Sequence, residues 1–318
     1  MPTPDDQRTR LLRKLRLELG QDVLQALEDP AVVEILLNPD GSLWVEKRGE
    51  MARIGTMTPV NAKHLLGTIA ASLDTVVNRE QPLLEGELLL DGSRVAGTLP
   101  PVVENPSFAI RKKAASVFPL EQYVERGAMN EAQREAILSA IRAQANILVA
   151  GGTSSGKTTL ANAVIHGIST LCPQDRVLII EDTAEIQCDA ENALIFRANA
   201  DVDMLRLLRT SLRYRPDRIL VGEVRGPEAL ALLKAWNTGH PGGVATIHAN
   251  SAKAALIRLE QLVAEAGAVG MLPLIAEAVD LVVFMEKRHG SRRVQEIIDV
   301  EGVTSTGYSI NKRTALCL

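Results

Sequence analysis

Residues 147–165 read ILVAGGTSSGKTTLANAVI. A short apolar run ends at Ala150, a glycine-rich turn follows, and Lys157, Thr158 and Thr159 open a helix-forming run. The spacing is GxxxxGK(S/T), with Gly151, Gly156, Lys157 and Thr158 in place, in the strand, turn and helix order that a phosphate-binding loop needs. Gly151 and Gly156 permit backbone conformations and close approaches that a Cβ would block. Successive amides through Gly152, Thr153, Ser154 and Ser155 can therefore face phosphate oxygens. Lys157 can bring a compact cation to the β- and γ-phosphates, and the Thr158 hydroxyl can ligate Mg²⁺. The helix N-terminus, with Thr159 in its first turn, adds a dipole favourable to anions.

The 318 residues favour two domains over one. With 46% hydrophobic and 23% charged residues and a net charge of -4, the composition is that of a soluble globular protein. The apolar stretch 271–285 is interrupted by Glu277 and Asp280, and charges begin at Asp5, so neither a membrane span nor a signal peptide is expected. The expected location is the cytoplasm, with binding to a membrane surface still open. Cys172, Cys188 and Cys317 are too widely spaced for a disulfide framework or a CxxC zinc site. Aromatic residues make up only 3% of the chain and the pI is about 5.8, so direct nucleic-acid binding is not expected.

Residues 9–26 place Leu12, Leu15, Leu19, Val23 and Ala26 at helical spacing beside a basic start, Arg8, Arg10, Arg13, Lys14 and Arg16. That face suits an anionic membrane or acidic partner, and equally a solvated surface or subunit contact. Residues 32–54 switch to short apolar runs around the turn Asn38-Pro39-Asp40-Gly41. A helix over 58–77 and strands near 83–90 and 94–99 complete an α+β N-terminal domain, residues 1–115. Arg94 follows a turn and Arg111 closes the run SFAIR; by themselves both read as surface or ion-pairing residues. Residues 116–127 read as a linker, and Asn130 with Gln133 forms a capping-box signature for the helix leading into the phosphate-loop strand.

Within 128–318 the same grammar recurs. VLIIED ends on Glu181 and Asp182, RILVGE on Glu223, and GVATIHAN passes through His248. Continuous apolar runs with helical crossovers at 203–213 and 227–236 suit a buried parallel sheet, where ligands bind at the carboxyl ends of the strands. One strand ending in Glu is commonplace. Two in order after a phosphate loop, then a third ending in His, predict an acid near Mg²⁺ and a second that orients or deprotonates water. Trp236 and Tyr214 read as core or interface residues; subunit contact is one role open to Arg213, Arg215 and Arg225, and their spacing does not decide it.

Four consecutive motifs resemble the secretion-ATPase superfamily: GGTSSGKTT, IIEDTAEIQ, LRYRPDRILVGEVRGPEA and TGHPGGVATIHANSA. The opening VVEILLNPDGSLWVEKRG is similar to the family's N-terminal domain, so the likeness spans nearly the whole chain. A short start, no cysteine-rich insertion, and Thr183 after Glu181-Asp182 resemble the conjugal-transfer branch.

The resemblance implies a RecA-like α/β ATPase domain after a smaller α+β domain, with ATP and Mg²⁺ as ligands. It implies Glu181 as the water-activating residue, Glu223 as the Walker B acid near the metal and His248 as the γ-phosphate sensor, with His240 as its companion. It further implies that Arg94 and Arg111 reach the phosphates. The implied assembly is a ring-shaped homohexamer, cytoplasmic and peripheral to the inner membrane, working with secretion-machinery components there. Pilus or type II secretion motors and a nucleic-acid translocase remain as alternatives.

Overall fold

Apolar residues recurring every three to four positions form helix α1 (Pro4–Glu28), which buries Leu15, Leu19 and Val23 and is interrupted by non-helical Gly20. The computed structural model describes residues 4–47, 49–113, 117–199, 201–288 and 290–315. Ala115 and Ser116, where the expected domain and linker meet, lie outside them, as does Cys317. By its contacts the chain divides into two compact units, Met1–Ala115 and Ser116–Leu318.

In the first unit, α1 is followed by β1 (Val32–Leu37), β2 (Ser42–Lys47), β3 (Glu50–Thr56), α2 (Pro59–Ser72), β4 (Leu83–Glu87), β5 (Arg94–Thr98) and β6 (Ser107–Arg111). The strands form an antiparallel sheet in the order β3-β2-β1-β6-β5-β4. Leu65, Leu66 and Ile69 of α2 share one core with α1 and with Ile35, Val95 and Ile110 of the sheet. The β1–β2 turn is fixed by Asp40 Oδ1, which accepts the Ser42 N–H at 2.8 Å, a local bond that the Asn-Pro-Asp-Gly sequence favours.

The second unit contains α3 (Leu120–Glu125), α4 (Glu131–Arg142), β7 (Ile147–Gly151), α5 (Lys157–Leu171), β8 (Val177–Glu181), β9 (Ala193–Arg197), α6 (Met204–Ser211) and β10 (Arg218–Val221). It continues with α7 (Glu228–Asn237), β11 (Val244–His248), α8 (Ala252–Glu265), α9 (Leu272–Ala278), β12 (Leu281–Arg288), β13 (Ser291–Thr304) and β14 (Gly307–Ala315). The sheet order is β14-β13-β12-β7-β11-β10-β8-β9. β12 to β9 are parallel, and β13 and β14 extend the sheet antiparallel.

Successive residues of β10 feed opposite faces: Ile219 and Val221 join the core under α6 to α9, and Leu220 the core under α4 and α5. Burial on both faces explains why these strands read as unbroken apolar runs. Part of the stretch expected to be a linker is instead α3, which buries Leu120 and Tyr123 in the second core. Its charged residues occupy the outward turns and mask the apolar spacing in the sequence. The expected capping box is present: Gln133 N–H donates to Asn130 Oδ1 at 2.8 Å, and Asn130 N–H to Gln133 Oε1 at 2.9 Å.

Candidate active site

Parallel register brings the carboxyl ends of four strands together. His248 pairs with Gly151, Val221 with Ile180 and Ala245, and Glu181 follows Ile180 directly. The phosphate loop, Glu181, Glu223 and His248 therefore share one sheet edge. A Cβ on Gly151 would lie 2.6 Å from the Met285 carbonyl oxygen and 2.5 Å from Ser155 Oγ, so this position has room only for glycine. Gly156 caps α5 at φ +96°, and Ser154 takes φ +56°. Ser155 is buried, and its Oγ has no hydrogen-bond partner among the described residues.

Lys157 is 7% exposed; its Nζ donates to the Gly152 carbonyl at 3.0 Å and lies 3.4 Å from His248 Nε2. Burial lowers the ammonium pKa, against the opposing pull of Glu223 and Glu185. Thr158 Oγ1 donates to Glu185 Oε2 at 3.0 Å. Thr158, Asp182, Thr183, Glu185, Glu223 and Arg225 line one small cleft beside the loop.

Glu181 is buried, and its Oε2 accepts the Glu185 and Ile186 N–H groups at 3.1 and 3.0 Å, while Arg197 Nε approaches Oε1 at 3.3 Å. Burial raises its carboxyl pKa, and the amides and Arg197 pull the other way. Glu223 Oε2 accepts Arg225 Nε at 2.9 Å, and Arg225 also donates to Asp182 Oδ2 at 2.7 Å. Glu223 Oε1 lies 2.9 Å from His248 Nε2, yet the contact is not aligned as a hydrogen bond. Glu228 Oε1 accepts the Arg225 and Gly226 N–H groups at 2.7 and 2.9 Å, fixing the turn after Glu223.

The structure brings Arg225 into this cluster, where it pairs with both Glu223 and Asp182. Glu223 is two residues away, but Asp182, its other acidic partner, is 43 residues away, so no local pattern marks that pairing. Trp236 is core, with Nε1 donating to the Ile219 carbonyl at 3.1 Å. His240 lies on the loop that enters β11, whereas His248 ends that strand, so the two histidines are not brought together.

Arg94 and Arg111 belong to the first unit, where they face one another across β5 and β6. Glu87 faces Arg94 from β4 and Glu34 faces Arg111 from β1, giving the row Glu34, Arg111, Arg94, Glu87. Arg111 Nε is 3.5 Å from Glu34 Oε1.

A parallel α/β sheet with a phosphate loop and two acids at its carboxyl edge is the architecture of a phosphate-loop ATPase fold. Residues 91–302 match the family of type II/IV secretion system proteins, and the chain belongs to that family. It is 54% identical over 302 residues to a probable conjugal transfer protein TrbB from Sinorhizobium fredii, covering 95% of this chain and 93% of that protein. It is 52% identical over 300 residues to the conjugal transfer protein TrbB of Rhizobium radiobacter, covering 94% and 93%. These likenesses place the chain in the TrbB branch of the secretion-ATPase superfamily. The fold is similar to that of the Legionella pneumophila ATPase DotB, with a TM-score of 0.66 and 21% identity over 87% of this chain and 79% of that one.

Proposed function

We propose that the chain is a Mg²⁺-dependent ATPase that powers type IV secretion in conjugal transfer, working as a homohexameric ring on the cytoplasmic face of the inner membrane. The carrying observation is the convergence of the phosphate loop, Glu181, Glu223 and His248 on one sheet edge. An N-terminal domain to residue 115 and an ATPase domain over 128–318, joined through 116–127, whose helix α3 packs on the second core, would be the moving parts.

The donor set fits Mg²⁺: Thr158 offers a hydroxyl and Glu223 a carboxylate beside the same cleft, hard oxygens that this ion prefers. No cluster of three or more His, Cys, Asp or Glu exists among the described residues to cage a metal. This agrees with an ion held by one or two side chains and substrate phosphates. When bound, Mg²⁺ would neutralise charge developing on the phosphates.

Lys157 binds the β- and γ-phosphates, leaving the Gly152 carbonyl where it is parked. Glu181 orients water in line with the γ-phosphate and takes its proton. Its Oε2 is fixed by two amides, and Oε1 is in the looser contact. His248 stands between Lys157 and Glu223, placed to register the γ-phosphate. Arg94 and Arg111 would stabilise the leaving phosphate. Each is flanked by an acid, Glu87 beside Arg94 and Glu34 beside Arg111, so a phosphate would have to draw the two cations away from those partners. No helix among the described residues is long and apolar enough to cross a membrane, in keeping with a peripheral attachment. The basic start of α1 is a candidate for contact with anionic lipid, and secretion-machinery proteins are the other expected partners.

Light scattering coupled to size exclusion, with phosphate release assayed on the same fractions, tests this reading. A hexamer that carries the activity supports it; activity confined to a monomer or dimer contradicts the ring.

A further inference from the structure

Arg292 is the second residue of β13, on the strand that returns beside β12, whose Met285 pairs with Gly151. Arg292 Nε donates to the Ser154 carbonyl at 3.0 Å, and its Cδ lies 3.4 Å from where a Cβ on Gly156 would stand. It thus reaches the phosphate loop across 138 positions of sequence. Its strand is held two residues further on. Val294 is buried, its N–H donates to the Ala128 carbonyl at 2.7 Å, and its own carbonyl accepts Gln133 Nε2 at 3.1 Å. Arg292 is therefore presented by a fixed strand.

Ser154 has φ +56°, a left-handed conformation that residues carrying a Cβ disfavour. Because a peptide group is planar and trans, anchoring the Ser154 carbonyl turns the Ser155 N–H to the opposite side. There it donates to the Gly152 carbonyl at 3.4 Å, and the same oxygen accepts Lys157 Nζ at 3.0 Å. We propose that Arg292 is a positioning residue of the phosphate loop. It holds the Ser154–Ser155 peptide in the orientation that closes the turn on Gly152, and so sets where Lys157 stands for a nucleoside triphosphate. The proposal rests on the nucleotide-binding reading above.

The test is binding of N-methylanthraniloyl-ATP to the full chain, with turnover measured in parallel. Arg292→Met keeps the stem over Gly156 and removes the donors. It should weaken binding about tenfold, the size of one charge-assisted hydrogen bond, with a much smaller change in kcat at saturating ATP. Arg292→Lys, which keeps a cationic donor, should recover part of the loss. Glycine adopts a positive φ without strain, so in a Ser154→Gly background the loss should shrink to less than about threefold. Unfolding midpoints without nucleotide check that each variant folds, and Arg292→Ala replaces any that does not. An unchanged affinity, or an equal loss in both backgrounds, overturns the positioning role. If the wild-type chain binds no nucleotide, the phosphate-loop reading falls and this proposal with it.

Discussion

His248 Nε2 stands 2.9 Å from Glu223 Oε1 and 3.4 Å from Lys157 Nζ, so one imidazole is shared between the acid after β10 and the lysine of the phosphate loop. Burial first, and Lys157 second, pull its pKa below the ordinary 6.5, while Glu223 opposes them. The signs separate the two neighbours. Lys157→Met should raise the His248 pKa, and Glu223→Gln should lower it further. Side-chain NMR titration reads both, and shifts of the same sign in the two variants would contradict the shared geometry.

The same depression has a consequence for stability. With the folded value below 6.5, the unfolded chain binds more protons than the folded one as pH falls through 6.5 toward that value. His248 therefore subtracts stability in that window and leaves it intact at higher pH. The thermal midpoint of the wild type should fall more steeply below pH 6.5 than that of His248→Asn; parallel curves would show that the imidazole is not perturbed.

Arg94→Ala and Arg111→Ala should each lower ATP turnover about tenfold or more if their cations meet developing phosphate charge. The unfolding free energy should stay within about 0.5 kcal/mol, because both are surface positions of a sheet whose core lies on buried Val95 and Ile110. Steady-state phosphate release and urea unfolding check the pair, and unchanged turnover would remove the first unit from the chemistry.

Arg218 is fully buried at the start of β10, where Nε donates to Asp175 Oδ2 at 2.5 Å and the terminal nitrogens to the Gly242 and Ile141 carbonyls, both at 3.2 Å. Arg218→Met should cost about 3 kcal/mol, since removing the cation leaves Asp175 unpaired and the Gly242 carbonyl without its donor, while the Ile141 carbonyl still accepts the Gln144 N–H. Urea unfolding measures it, and a loss below about 1 kcal/mol would show that the network contributes little.

The phosphate loop was legible because its chemistry is local, with glycine, lysine and hydroxyl all within eight positions. Glu181, Glu223 and His248 were legible because parallel strands put their last residues on one edge. The contacts of Arg225 with Asp182 and of Arg292 with Ser154 left no such trace, since they join residues 43 and 138 apart and exposed arginines are common. The stretch 271–285 gave only its apolarity. That it becomes α9 and then β12, with β12 paired to β7, depends on the tertiary sheet. His240 sits in a Gly-His-Pro turn and is the less definite of the two histidines in the sequence; the structure puts it on the loop entering β11, whereas His248 ends that strand.

The proposed function requires Glu223 to serve hydrolysis rather than nucleotide binding or folding. The measurement is phosphate release from Mg-ATP by the wild type and by Glu223→Gln, with analogue binding determined on the same preparations. Binding should stay within a few-fold of wild type, and turnover should fall about a hundredfold or more. Wild-type turnover by Glu223→Gln would contradict that role.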